Sequence, residues 1–143
     1  MAQYDQEEQW QILQLAHRYA LAVDSRDAAL LAECFAPEIE VIGPGFALTE
    51  SVAEAIIAGL KARYVWTQHN LSNPLYRVSG AEASGVINCV AHHIEEHQGS
   101  YRMRSWHIRY HDRLRQLDGV WRLCQRRLDV GYESVLPAAA IPQ

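Results

Sequence analysis

The stretch YALAVDSRD, Tyr19 to Asp27, runs an apolar helical stripe straight into a carboxylate. Asp24 stands four residues after Ala20 and seven after His17, on the helix face they share with Leu13. A face with that spacing turns toward the interior. A buried ionised carboxylate is costly unless a donor or cation meets it. Asp24 can therefore cap the helix that follows, or face a cavity and hold a partner there. His69, in WTQHNLSN, is the partner the sequence offers. Trp66, Leu71 and Pro74 give it a semi-apolar setting. A lone histidine there is an ordinary structural residue. Beside Asp24 it becomes an acid/base dyad, because the carboxylate fixes the ring tautomer, raises its basicity and leaves the other nitrogen free to move a proton.

VAHHIEEHQGSY, at the end of a long alternating run, holds further candidates. Alternation puts Val86, Asn88, Val90 and His92 on one face and Ile87, Cys89, Ala91 and His93 on the other. Both rows are mostly apolar, so parity leaves His92 and His93 open as the inward residue. His93, Glu95 and His97 share a strand face and could suit zinc or iron. Gln98-Gly99 makes the same segment a hairpin tip, and a solvated polar tip is the preferred reading. No metal and no other cofactor is expected. The chain has no glycine-rich phosphate loop, no GxSxG elbow and no kinase signature.

These residues need elements to place them. Residues 5–23 read as an amphipathic helix through Trp10, Leu13, Ala16/His17, Ala20 and Val23. Asp24 or Ser25 can cap a second helix over 28–35, which Pro37 ends. EIEVIG alternates like a strand and GPG breaks it; Thr49 or Ser51 can cap a third helix over 51–63, with Val52, Ala55, Ile56 and Leu60 on one face. After Tyr64 the spacing predicts strands at 65–71, 74–79, 83–94, 100–115 and 120–130. SGAE and LDG between them are hairpin turns. Helices followed by long antiparallel strands make an α+β domain. Such strands curl, and helices closing the curl leave an interior cavity suited to a small molecule. On the fourth long run Trp106, Ile108 and Tyr110 alternate with Ser105, His107 and Arg109. With helices on the inner face, an apolar outer face would form a homodimer interface through the sheet. The tail VLPAAAIPQ could lie over a groove or fray.

The length, 143 residues, fits a single domain over 1–143. A hydrophobic fraction of 49% argues for a folded core rather than disorder. The net charge of -4 implies no affinity for nucleic acid. Eight of the twelve arginines lie between Arg102 and Arg127, but acids interrupt them and no nucleic-acid motif accompanies them. The three cysteines, Cys34, Cys89 and Cys124, sit in apolar contexts without a CxxC, which fits buried free thiols and a reducing cytoplasm. MAQYDQEEQW is too polar for a signal peptide. No run approaches the ~20 apolar residues of a membrane span.

ILQLAHRYALAVDSRDAALLAECFAPE, TQHNLSNPLYRVSGAEA and YHDRLRQLDGVWRLCQRRLDVGYE together resemble the SnoaL-like family of the nuclear-transport-factor-two-like superfamily. The likeness spans roughly residues 8–133, and within its Tyr-x-Asp-x-Leu…Asp-Gly-x-Trp-Arg pattern the Asp-Gly-x-Trp segment is fairly diagnostic of fold, though not of reaction. The resemblance implies a cone of helices around a curved mixed sheet, often dimeric. Within it, the chain looks like the branch holding scytalone dehydratase, a hexachlorocyclohexane dehydrochlorinase and a bile-acid dehydratase. There an Asp closing the first helix and a His after the third correspond to Asp24 and His69. Tyr19, five residues before Asp24, matches a catalytic tyrosine, and Arg126, five after Trp121, an arginine. A polar residue on the next long strand matches His92 by spacing and tips the parity question toward it. In a straight helix Tyr19 and Asp24 point about 140° apart, so both reach one cavity only if the helix distorts or the cavity wraps its end. The resemblance implies a cofactor-independent lyase or isomerase acting on a hydrophobic, ring-containing small molecule. A non-catalytic ligand-binding protein and a polyketide cyclase are the alternatives.

Overall fold

Two-residue turns set the long hairpins that dominate this protein. Asp118 and Gly119 both take positive φ, 50° and 79°, and that pairing matches the twist of the strands it joins. Gln98 and Gly99 do the same at 51° and 79°. In the computed structural model, which describes residues 6–139, the chain runs α1 (Gln6–Asp24), α2 (Ala28–Glu33), β1 (Phe35–Gly43), β2 (Phe46–Leu48), α3 (Val52–Arg63), β3 (Trp66–Ser79), β4 (Glu82–His97), β5 (Ser100–Leu117) and β6 (Val120–Ala138). The fold is α+β, as the order of elements predicts. One six-stranded curved sheet has the order β2-β1-β6-β5-β4-β3. Among the described residues only the β1–β6 pairing is parallel.

Three local expectations change. Residues 65–71 and 74–79 form one edge strand, with a register shift between Ser72 and Leu75. Pro74 lies in that shift, where its missing N–H costs the ladder nothing. Gly85 faces the bulge, and a Cβ there would sit 2.2 Å from the Leu75 carbonyl oxygen. The second helix is also shorter than 28–35, because Phe35 already pairs with Leu123. Its N-cap is Asp27, whose side chain accepts from the Leu30 amide at 2.9 Å. Neither Asp24 nor Ser25 caps it. Ser51 does occupy the N-cap of α3, without a side-chain capping bond.

The buried stripe of α1 is rotated from the one its spacing suggests. Trp10 is 57% exposed, while Ile12, Leu15, Ala16, Tyr19, Ala22 and Val23 form the core face. Apolar residues cover a broad arc of this helix, so periodicity alone admits both faces, and the sheet selects one. Tyr19 decides the choice: its ring meets those of Phe35 and Tyr110, each at 6.1 Å between centroids. Asp24 thereby falls at the edge of the stripe.

The apolar row of β5 is also the inner row. Ile108 and Tyr110 join the core cluster with Trp106 packed against it, and Arg109 is exposed on the other face. The homodimer expectation therefore loses the apolar outer row from which it was argued. Cys34 and Cys89 are buried and Cys124 half-buried, all as free thiols. Among the described residues no helix is long and apolar enough to cross a membrane. Residues 135–138 of the tail finish β6, and 140–143 lie outside the described residues.

Among the described residues one ion pair is wholly interior. Arg126 donates to Asp112 through Nε at 2.8 Å and Nη2 at 2.7 Å, with side-chain exposures of 0% and 1%. Tyr76 donates its hydroxyl to the same carboxylate at 2.7 Å. The guanidinium also lies 4.3 Å from the Tyr19 ring centre and 4.0 Å from that of Tyr110, a cation–π sandwich in a dry setting. Removing one member of such a pair strands the other charge, which typically costs about 3–5 kcal/mol. Asp112→Asn should lower the unfolding free energy in urea by about that amount. Asp112→Leu combined with Arg126→Met should lose less than Asp112→Leu alone.

Candidate active site

α1 ends at Asp24, and the start of β3 passes beside that end. The carboxylate accepts from the His69 backbone amide at 2.8 Å, the His69 ring Nδ1 at 2.7 Å and the Thr67 hydroxyl at 3.0 Å. Strand alternation makes this possible, since Thr67 and His69 project on the same side of β3. Arg26, in the left-handed region with φ 59°, donates to the Thr67 oxygen at 2.7 Å and to the Val23 carbonyl at 2.8 Å. A carboxylate can only accept, so Nδ1 of His69 carries the proton in this bond. In the neutral ring Nε2 is then the basic nitrogen. Burial alone would raise the pKa of Asp24. Its hydrogen bonds from the His69 ring and amide, and from Thr67, outweigh that and hold it below the ordinary carboxylate range.

His69 lines an apolar cavity of about 270 Å³ enclosed by α1, α3, β2 and the inner face of the sheet. Tyr19, Tyr64, Trp106 and Tyr110 supply its aromatic lining. His93 lines it too, with its ring centre 5.8 Å from that of His69 and 4.5 Å from that of Tyr64. The Nδ1 of His93 donates to the Arg104 carbonyl at 3.0 Å, which leaves Nε2 as acceptor in the neutral ring. Burial pushes the His93 pKa down to about 4, so the ring is neutral at pH 7. Burial pushes the Tyr19 phenol upward, although Arg126 partly opposes the rise. Tyr19 therefore keeps its proton at neutral pH.

The structure brings Tyr19, His69 and His93 to one cavity and places the remaining candidates around it. His92 turns to the opposite face, where its Nδ1 meets Ser105 Oγ at 2.6 Å. The spacing match favoured the wrong member of the histidine pair, and the register Ala91↔Trp106 puts His93 on the inner row. Asp24 does not line this cavity; it stands behind His69 and borders a separate, more open groove with His17, Leu21 and Asn70. The helix stays regular through Asp24, so the angular separation of Tyr19 and Asp24 holds. Arg126 lies beneath the Tyr19 ring rather than in the cavity. Arg26, Trp106 and Tyr110 carry no local signal in the sequence that places them at the site. Thr67 was accessible to the same argument as His69, being two positions earlier on one strand face.

The alternative of a metal set at His93, Glu95 and His97 finds no support in the geometry. Arg102 and Arg104 clasp Glu95, and among the described residues no three His, Cys, Asp or Glu side chains group to hold a metal ion. A larger polar groove of about 650 Å³ runs between Glu38, Arg77 and Arg113, but it touches none of the dyad or its neighbours. Convergent histidines in an apolar hollow make the smaller cavity the stronger candidate.

A family model described as "SnoaL-like domain" matches residues 5–127. No curated protein matches the chain. Among solved structures, an aspartate-to-asparagine variant of Rv3472, a protein of unknown function from Mycobacterium tuberculosis, is 29% identical at a TM-score of 0.72, covering 91% of this chain and 78% of that one. A candidate scytalone dehydratase from Novosphingobium aromaticivorans is 24% identical at a TM-score of 0.78, covering 95% and 94%. The hexachlorocyclohexane dehydrochlorinase LinA-type3 from Novosphingobium barchaimii is 17% identical at a TM-score of 0.82, covering 96% of each chain. The last two likenesses show the fold.

His93 has a consequence for stability. Its folded pKa of about 4 lies below the ordinary histidine value of 6.5, so the unfolded chain binds more protons between them. The stability tied to a neutral His93 is therefore present above about pH 6.5 and lost as pH falls toward about 4. At about 1.4 kcal/mol per pH unit, the loss is on the order of 3 kcal/mol. Denaturant unfolding of the wild type across this window should show that slope, and His93→Gln should flatten it.

Proposed function

The chain belongs to the SnoaL-like domain family, and from that premise and the cavity geometry we propose that it is a cofactor-independent acid/base lyase or isomerase acting on a hydrophobic, ring-containing small molecule. The observation that carries the proposal is the 2.7 Å bond from His69 Nδ1 to Asp24 at the wall of an apolar cavity. His69 Nε2 removes a proton from a carbon next to a carbonyl or a leaving group. Asp24 holds the ring and stabilises the imidazolium that forms. Tyr19, kept protonated by burial, donates to the developing oxyanion or the departing oxygen. His93, neutral at pH 7, accepts a hydrogen bond from a substrate hydroxyl or a water. Arg126 acts as a positioning residue that holds the Tyr19 ring from below.

The cavity volume of about 270 Å³ favours a molecule of one or two rings, since pockets for larger ligands run to several hundred Å³. That weighs against the polyketide cyclase reading. The non-catalytic reading would have Asp24 tied up as a helix cap, but Asp27 holds that cap. The buried free thiols fit a reducing cytoplasm. A homodimer through the sheet is a separate proposal, supported by exposed Leu75 and Tyr132 in strand positions paired with Val86 and His107.

Proton abstraction can be followed without the natural substrate. Ring ketones in D₂O should exchange an α-hydrogen in the presence of the wild type, as read by NMR. Asp24→Asn and His69→Ala should each slow that exchange by about 10²–10⁴-fold. Exchange that survives both changes removes the dyad from the mechanism. For the dimer, light scattering at micromolar concentration should give twice the 16.3 kDa chain mass; a monomer mass refutes it.

A further inference from the structure

Taking the 270 Å³ cavity as the substrate site, we propose that its substrates carry an anionic group, a carboxylate or similar oxyanion, which Arg63 binds at the cavity rim while the ring lies in the apolar interior. Arg63 is the last residue of α3 and its side chain is exposed, yet it lines the cavity with Ile56, Leu60 and Tyr64 from the same segment. Among the described residues it is the only lysine or arginine lining the cavity, and none of those lining it is an aspartate or glutamate. Among the described residues Arg63 has no side-chain hydrogen bond or ion pair. This separates it from Arg102, Arg104, Arg115 and Arg126, each of which is bound to a carboxylate.

An unopposed guanidinium beside an apolar hollow is complementary to a ring with a negative end. Its planar fork binds a carboxylate through two parallel bonds. The structural role open to Arg63 is to oppose the dipole at the end of α3, and Lys61 already offers a cation in that turn. Binding at the rim would also orient the substrate, because the anionic end stays near solvent while the ring turns toward His69 and His93. The reading assigns charge selection to Arg63 and proton transfer to His69, two functions that separate in experiment.

The test uses two ligands of one shape and different charge, 2-naphthoate and naphthalene-2-carboxamide, titrated calorimetrically. The wild type should bind the carboxylate about three- to tenfold more tightly than the amide. Arg63→Gln should abolish that preference with the amide affinity unchanged, and Arg63→Lys should retain part of it. Thermal melting confirms that both variants are folded. Equal affinities in the wild type, binding of neither ligand, or an equal loss for both ligands in Arg63→Gln would overturn the proposal. Asp24→Asn should leave the preference intact while removing α-hydrogen exchange, so a failure of the dyad and a failure of charge selection give different results.

Discussion

A half-buried carboxylate at the end of α1 must find donors, and the first residues of β3 supply three. This constraint joins helix to sheet and fixes the His69 ring in one stroke. The backbone amide and the ring of His69 bond to the same side chain, so the ring cannot turn without losing a charge-assisted bond. Thr67 adds a third donor, and Arg26 holds Thr67 from the turn after the helix. The shape of that turn matters for the same reason. Because Asp27 takes over the capping of α2, Asp24 is free to face β3.

The opposite side of the cavity rests on a second buried polar cluster. Arg126 and Asp112 neutralise each other within the sheet, and the two tyrosine rings cover the guanidinium. Buried ion pairs are weak evidence for stability, since a hydrophobic replacement often does as well. Here the pair also presents Tyr19 to the cavity from below. A phenol held against a cation, with its hydroxyl kept protonated by burial, is a ready donor. Stability and chemistry thus draw on the same side chains at both ends of the hollow.

Much of this arrangement could be read from residue types. The Asp-Gly turn, the long antiparallel hairpins and the order of helices before strands follow from local signals. The bond between Asp24 and His69 was one of two readings that the residue types left open, the other being a helix cap. What escaped depended on long-range choices. The rotation of α1 was hidden because apolar residues cover more than one face, and the sheet rather than the helix selects between them. His92 and His93 were indistinguishable by parity, since Val86 and Val90 on one row are as apolar as Ile87 and Ala91 on the other. Only the register against β5 assigns the rows. Arg126 was named without its neighbours, because its partner Asp112 lies on another strand.

The central claim is that Asp24 fixes the His69 ring with its proton on Nδ1 and leaves Nε2 as the base. Long-range ¹H–¹⁵N correlation spectra of the imidazole rings report this directly. In the wild type at a pH where the ring is neutral, His69 should appear as the Nδ1–H tautomer, and Asp24→Leu should shift it toward the commoner Nε2–H form. A wild-type His69 found as the Nε2–H tautomer would contradict the account.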